Sequence, residues 1–160
     1  MRFTFAATAA LFGAALAAPA PQADQPEIRE TVRITDFFAH KSGASASAEG
    51  KVDSISFKMH SSRIASDAGV SCTATAAEGE DSIKFKPEYY NCDGAHDNDR
   101  YAFEVVSVKD QSVFELYIIH QTAVAFGFQG NGSVPTYCHS GGLDTMVCQQ
   151  VANVTVPLHL

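Results

Sequence analysis

From Thr31 to Val156 the apolar residues of this chain recur at every second position in short runs, the period of side chains on a half-buried β-strand. VDSISFKMH (52–60) is the clearest case, with Val52, Ile55, Phe57 and Met59 set against Ser56, Lys58 and His60. TVRITDFF (31–38), VSCTATA (70–76), YAFEVVSVK (101–109), VFELYIIHQ (113–121), TAVAFGFQ (122–129) and VCQQVANVTV (147–156) carry the same signal. SIKFKPEYYN (82–91) carries it too, but Pro87 has no N–H to donate and confines that run to an edge or a bulge. No segment holds a ten-residue helical period. SGASASAEG (42–50) is a small-residue loop, DGAHDNDR (93–100) an acidic turn, Asp110-Gln111-Ser112 a hairpin connection and GNGSVP (130–135) a turn-rich break. Seven or more short strands with frequent turns predict an all-β chain, a single compact antiparallel β-barrel or sandwich.

The start of the chain follows different rules. MRFTFAATAALFGAALAAPAP places Arg2 before an apolar run from Phe3 to Leu16 and a small-residue exit at Ala15-Leu16-Ala17, the grammar of a secretory signal peptide over residues 1–17. A membrane anchor would need about 20 apolar residues, and Pro19 and Pro21 interrupt too soon. Residues 18–30 are a Pro-rich, polar lead-in, which leaves 31–160 as the folded domain. The product is expected to be secreted and extracellular.

Of 160 residues, 46% are hydrophobic and 18% charged, with 11 Phe and 5 Tyr, too apolar and aromatic for disorder. The net charge of -7 becomes -8 when Arg2 leaves with the signal. That sign opposes the counterion release behind nucleic-acid binding, and anionic lipid would repel the chain, so neither nucleic acid nor a membrane is an expected partner.

Cys72, Cys92, Cys138 and Cys148 suffice for two disulfides in an oxidising compartment. Four cysteines allow three connectivities; locality favours 72 with 92 and 138 with 148, since each pair spans a turn. A zinc site would need CxxC spacing, which is absent. The six histidines, His40, His60, His96, His120, His139 and His159, show no i, i+2 or i, i+4 pairing that would suggest a metal. His96 falls among Asp93, Asp97 and Asp99, the densest ionisable cluster, yet no register there supplies both the Gly and the Glu of an EF-hand loop. No cofactor is implied. No GxSxG elbow is present, and Glu104, His120 and Arg100 could be cast as a secreted ribonuclease's acid, base and cation only if they converged; otherwise Glu104 and His120 are outward-facing strand residues. Asn131-Gly132-Ser133 and Asn153-Val154-Thr155 are N-glycosylation sequons, the first in a turn-rich loop and the second on a strand.

TVRITDFFAHKSG, the strand ending near Met59, the following cysteine strand, YYNC, and above all YCHSGGLDTMVCQQVAN together resemble the fungal family of the Alternaria alternata major allergen, which includes secreted elicitors from Verticillium. The most specific part is Tyr137-Cys138, Gly141-Gly142 and Val147-Cys148-Gln149 followed by Val151-Ala152. The resemblance implies a compact β-barrel with disulfides Cys72–Cys92 and Cys138–Cys148, no established enzymatic activity, and a role as effector, elicitor or allergen. It also implies binding to host defence proteins of the thaumatin-like class and a possible small aromatic, flavonoid-type ligand. The archetypal allergen has an additional N-terminal cysteine linking two subunits; this chain has none before Cys72, which argues against a covalent dimer. The expectation is therefore a secreted, non-catalytic host-protein binder, with Asp93, Asp97 and Asp99 as its binding charges. The rivals are a small-molecule carrier using the barrel interior and a secreted hydrolase or ribonuclease.

Overall fold

The structure, a computed structural model, describes residues 27–43, 51–64, 69–94 and 99–160. The expected signal segment, most of the lead-in, most of the small-residue loop, and His96 with Asp97 lie outside the described residues.

Among the described residues nine strands form one antiparallel sheet: β1 Glu30–Ser42, β2 Lys51–Ser61, β3 Val70–Thr75, β4 Tyr90–Asn91, β5 Arg100–Lys109, β6 Val113–Ala123, β7 Phe126–Gly142, β8 Thr145–Gln150 and β9 Val154–Leu158. Their order is β3-β2-β1-β8-β7-β6-β5-β4, with β9 beside β1, and a bridge between Cys72 and Cys92 brings the two ends of the sheet together. The result is a nearly closed barrel, which hides the edges a flat sheet would expose. Both disulfides, Cys72–Cys92 and Cys138–Cys148, join facing residues of neighbouring strands.

Alternation puts Val32, Ile34, Ile55, Phe57, Met59, Phe103, Val105, Phe114, Leu116 and Ile118 inside. The interior is filled by rings: Phe37 lies 4.9 Å from Phe114 and 5.8 Å from Phe57, and Phe57 meets Phe103 edge-on at 4.8 Å. Such contacts add about 0.5–1.5 kcal/mol each beyond area burial.

Strand β1 has two neighbours in succession, β9 along Glu30–Ile34 and β8 along Phe38–Ser42. Between them the register slips, and Asp36 takes a φ of 55°. The Gln150 side chain fills the gap: its Oε1 accepts from the Phe37 N–H at 3.0 Å, and its Nε2 donates to the Ile34 and Ala152 carbonyls.

The structure departs from the strand pattern in four places, the first being TAVAFGFQ (122–129), which holds the end of β6, a turn at Val124-Ala125 and the start of β7. GNGSVP is not a break but the middle of the 17-residue β7. Its glycines answer to packing: a Cβ on Gly130 would lie 2.2 Å from the Pro157 oxygen, and one on Gly132 2.4 Å from Val156 Cγ2, so β9 can cross there only over glycine. The expected strand 147–156 is two strands, broken at residues 151–153 where the chain leaves β7 and shifts from the Phe38–Ser42 stretch of β1 to its Glu30–Ile34 stretch. The run 82–91 is strand only at Tyr90–Asn91. Its other bonds go alternately to two strands, Ile83 N to Val52 O and Lys86 N to Val105 O, because Pro87 interrupts any continuous ladder.

Candidate functional site

The connection from β3 to β5 concentrates charge. Residues 76–99 hold Glu78, Glu80, Asp81, Glu88, Asp93, Asp97 and Asp99 against only Lys84 and Lys86, a net of -5 out of the chain's -7. Glu78, Glu80, Asp81, Glu88, Asp93 and Asp99 are exposed. Lys51 and Lys84 pair with Asp81 and Glu80 at the surface. The connection is anchored by the Cys72–Cys92 disulfide and by Asp93 N donating to Ser71 O at 2.7 Å.

Asp99 leads inward. Its Oδ1 lies 2.5 Å from His120 Nε2, while His120 Nδ1 lies 2.5 Å from Glu30 Oε2. The second Glu30 oxygen accepts from the Tyr101 hydroxyl at 2.6 Å and from Ser61 Oγ. The Tyr101 and His120 rings stack at 4.0 Å. Glu30, Ser61, Tyr101 and His120 are all buried, at inward positions of β1, β2, β5 and β6, and form a polar plug at one end of the barrel. Buried Lys41 donates to the Gln111 carbonyl at the other end. Carboxylates only accept, so an imidazole between two of them is best served with both nitrogens protonated. Burial is the largest single influence on His120 and opposes its charge, but hydrogen bonds to Glu30 and Asp99 and their negative charges together raise its pKa. Burial likewise pushes Glu30 up, and bonds from His120, Ser61 and Tyr101 outweigh it to leave the carboxyl below its usual value. Desolvation and the bond to Glu30 drive the Tyr101 pKa well above that of a free phenol.

Glu104 is the outward counterpart. It pairs with Tyr117 across β5 and β6, on the outer face, yet is completely buried beneath the 76–89 segment. Neither carboxylate oxygen has a well-formed hydrogen bond. Lys86 Nζ stands 3.9 Å from Oε2 and 5.2 Å above the Tyr117 ring. The Tyr89 hydroxyl reaches toward the carboxylate, whose charge raises the phenol pKa. Beside them runs an outer groove of about 440 Å³ lined by Tyr89, Asn91, Arg100, Ala102, Tyr117, Ile119, Gln121 and Gln129.

The ribonuclease casting is corrected by this geometry. Glu104 lies on the outer face and His120 points inward, because they occupy opposite parities of paired strands; both are buried rather than outward and exposed. Arg100 donates to Gln121 Oε1 at 2.7 Å. Among the other histidines, His40 sits 2.7 Å from Asp53 and His60 3.1 Å from Thr35 Oγ1. No group of three His, Cys, Asp or Glu that could hold a metal occurs among the described residues. The two sequons exchange places: Asn131 lies in mid-β7 facing Tyr117, and Asn153 is exposed in the turn between β8 and β9. Glu30, Ser61 and Tyr101 escaped the sequence pattern as a group. The available signal was parity, since Glu30 continues the inward series Val32 and Ile34.

A disulfide-braced antiparallel barrel with a ring-filled interior defines the class. A sequence model of the family described as Alternaria alternata allergen 1 matches residues 34–148. Effector protein PevD1 of Verticillium dahliae is 33% identical over 163 residues, covering 98% of this chain and 92% of that protein. The crystal structure of Alternaria alternata allergen Alt a 1 superposes with a TM-score of 0.57 at 20% identity, covering 88% of this chain and 95% of the other. A second, of the major allergen Alt a 1, gives 0.55 at 20% identity over 80% and 91%. The chain belongs to the Alternaria alternata allergen 1 family, a family that holds fungal allergens and an effector.

Proposed function

We propose that this chain is secreted and acts outside the cell as a non-catalytic effector-type protein that binds a basic host protein, a thaumatin-like defence protein being the first candidate. The observation that carries this is the net -5 that the sequence concentrates in residues 76–99, a disulfide-anchored connection whose acids Glu78, Glu80, Asp81, Glu88, Asp93 and Asp99 are exposed. A negative field of that kind attracts a positively charged partner, speeds encounter and favours correct orientation. The signal-like segment and the two disulfides support the compartment. Non-catalytic action is supported by the plug: both His120 nitrogens are engaged by carboxylates and Ser61 donates to Glu30, so neither a free base nor an activated hydroxyl is offered there. The ring-filled interior disfavours a carrier that encloses its ligand; a small aromatic ligand would have to use the outer groove.

Surface binding with purified thaumatin-like proteins tests the reading. A saturable interaction is expected, weakening as salt shortens the Debye length to about 10 Å at 0.1 M and below. Changing Glu78, Glu88 and Asp93 to Lys should slow association about tenfold or more. Asp99 is left out of that set because its change also unties His120. No saturable binding at low salt would remove this partner class.

A further inference from the structure

We propose that Glu104, Tyr89 and Tyr117 form a receptor for an alkylammonium group, the lysine side chain of a bound protein, and that Lys86 occupies it until that lysine arrives. Four features carry this. First, a fully buried carboxylate is costly unless its charge and lone pairs are met, and Glu104 has no hydrogen bond of good geometry, only the Tyr89 hydroxyl reaching toward it and an ammonium at 3.9 Å. Second, that ammonium is loosely held: the Lys86 side chain is 56% exposed, while its backbone is fixed by Lys86 N donating to Val105 O at 2.9 Å. The side chain can therefore swing into solvent without moving the backbone. Third, the surroundings suit a cation, since Lys86 Nζ already stands over the Tyr117 face and half-exposed Tyr89 flanks the same carboxylate. Fourth, there is an approach. Tyr89, Tyr117 and Ala102, the same-face strand neighbour of Glu104, all line the outer groove, and Glu104 lies next to them on β5, one same-face position from Ala102 and paired with Tyr117.

The Glu104 carboxylate selects a cation, while Arg100, the groove's own cation, lies four residues along β5 and is engaged by Gln121; Ala102, Ile119 and the tyrosine rings suit the methylene stem that a lysine carries behind its ammonium. The assignment of that lysine to a protein rests on the proposed basic partner; ammonium recognition itself does not. A monomeric probe therefore separates the two claims.

The experiment is a titration of the isotope-labelled, oxidised protein with N-acetyl-lysine methylamide, its neutral norleucine isostere and cadaverine, followed by amide chemical shifts. Saturable shifts centred on Tyr89, Ala102, Tyr117 and Ile119 are expected with the lysine probe and not with the isostere. Lys86→Ala should tighten binding, by about twofold if the internal lysine closes the site half of the time. Glu104→Gln should weaken it at least tenfold. If that variant unfolds, Lys86→Ala alone still decides, because only a competing internal ammonium predicts a gain in affinity on its removal. Equal binding of the norleucine isostere, or weaker binding by Lys86→Ala, overturns the receptor. Tighter binding of cadaverine than of the lysine probe overturns the assignment to a protein side chain.

Discussion

Two glutamates of this barrel are removed from water, and their surroundings differ in kind. Glu30, at the inward end of β1, has both oxygens met by hydrogen bonds from Ser61, Tyr101 and His120. Glu104, on the outer face of β5, has no hydrogen bond of good geometry and one distant ammonium. Burial alone therefore does not assign a role. A carboxylate whose partners are complete closes a structure, whereas one whose acceptors are idle under a movable cover retains the capacity to receive something.

The difference is sharpest in stability. Glu30→Ala leaves His120, Tyr101 and Ser61 facing a vacancy and should cost about 3–5 kcal/mol, the usual penalty for removing one partner of a buried charge pair. Guanidinium unfolding would measure it. A loss below about 1 kcal/mol would erase the distinction between the two sites.

The pH dependence of stability should follow from the same plug and be somewhat smaller. The His120 pKa is raised, so its contribution is whole below the ordinary value of 6.5 and is lost as pH rises through the higher native value. The Glu30 pKa is lowered, so its share is whole above 4.5 and is lost as pH falls through the lower native value. Stability should therefore be greatest between those two ordinary values and decline on the alkaline side. In His120→Gln that alkaline decline should flatten; an unchanged decline would place its origin elsewhere.

How much of this was legible in the sequence depends on the periodicity involved. Period two placed Val52 to His60 and the hairpin of β5 and β6, because one face of each is apolar. It failed at GNGSVP, where the demand for glycine comes from β9, a strand 20 or more residues later that no local pattern reveals. It failed at 147–156, because one apolar run pairs with two separate stretches of β1, Phe38–Ser42 and Glu30–Ile34, with a bend between them. At the plug the residue types were visible one by one, but Glu30, Ser61, Asp99, Tyr101 and His120 come from four strands and a turn, so only the barrel assembles them. Glu104 stood out as the lone acid in YAFEVVSVK, and its burial depends on a crossing segment that reads locally as another strand.

Replacing Glu104 offers a third and smaller test. Because the carboxylate is buried without completed hydrogen bonds, Glu104→Leu removes a desolvation penalty and should fall between no change and a gain of about 1 kcal/mol. The same exchange at Glu30 should be strongly destabilising. A loss above about 2 kcal/mol on Glu104→Leu would mean that the carboxylate is as structurally committed as Glu30.

The smallest effect is expected from Lys86→Ala. The Lys86 side chain is more than half exposed and its ammonium is 3.9 Å from the carboxylate, so solvent and salt screen most of the attraction, and the change should stay within about 0.5 kcal/mol. The informative quantity is the coupling in a double-mutant cycle, which removes effects of each side chain that do not depend on the other. For Lys86 with Glu104 it should be a few tenths of a kcal/mol and vanish in high salt, whereas for His120 with Glu30, at 2.5 Å and out of water, it should exceed about 1 kcal/mol and persist. Equal couplings would show that Lys86 is a fixed structural partner, and a lysine so fixed could not yield its place to an incoming ammonium.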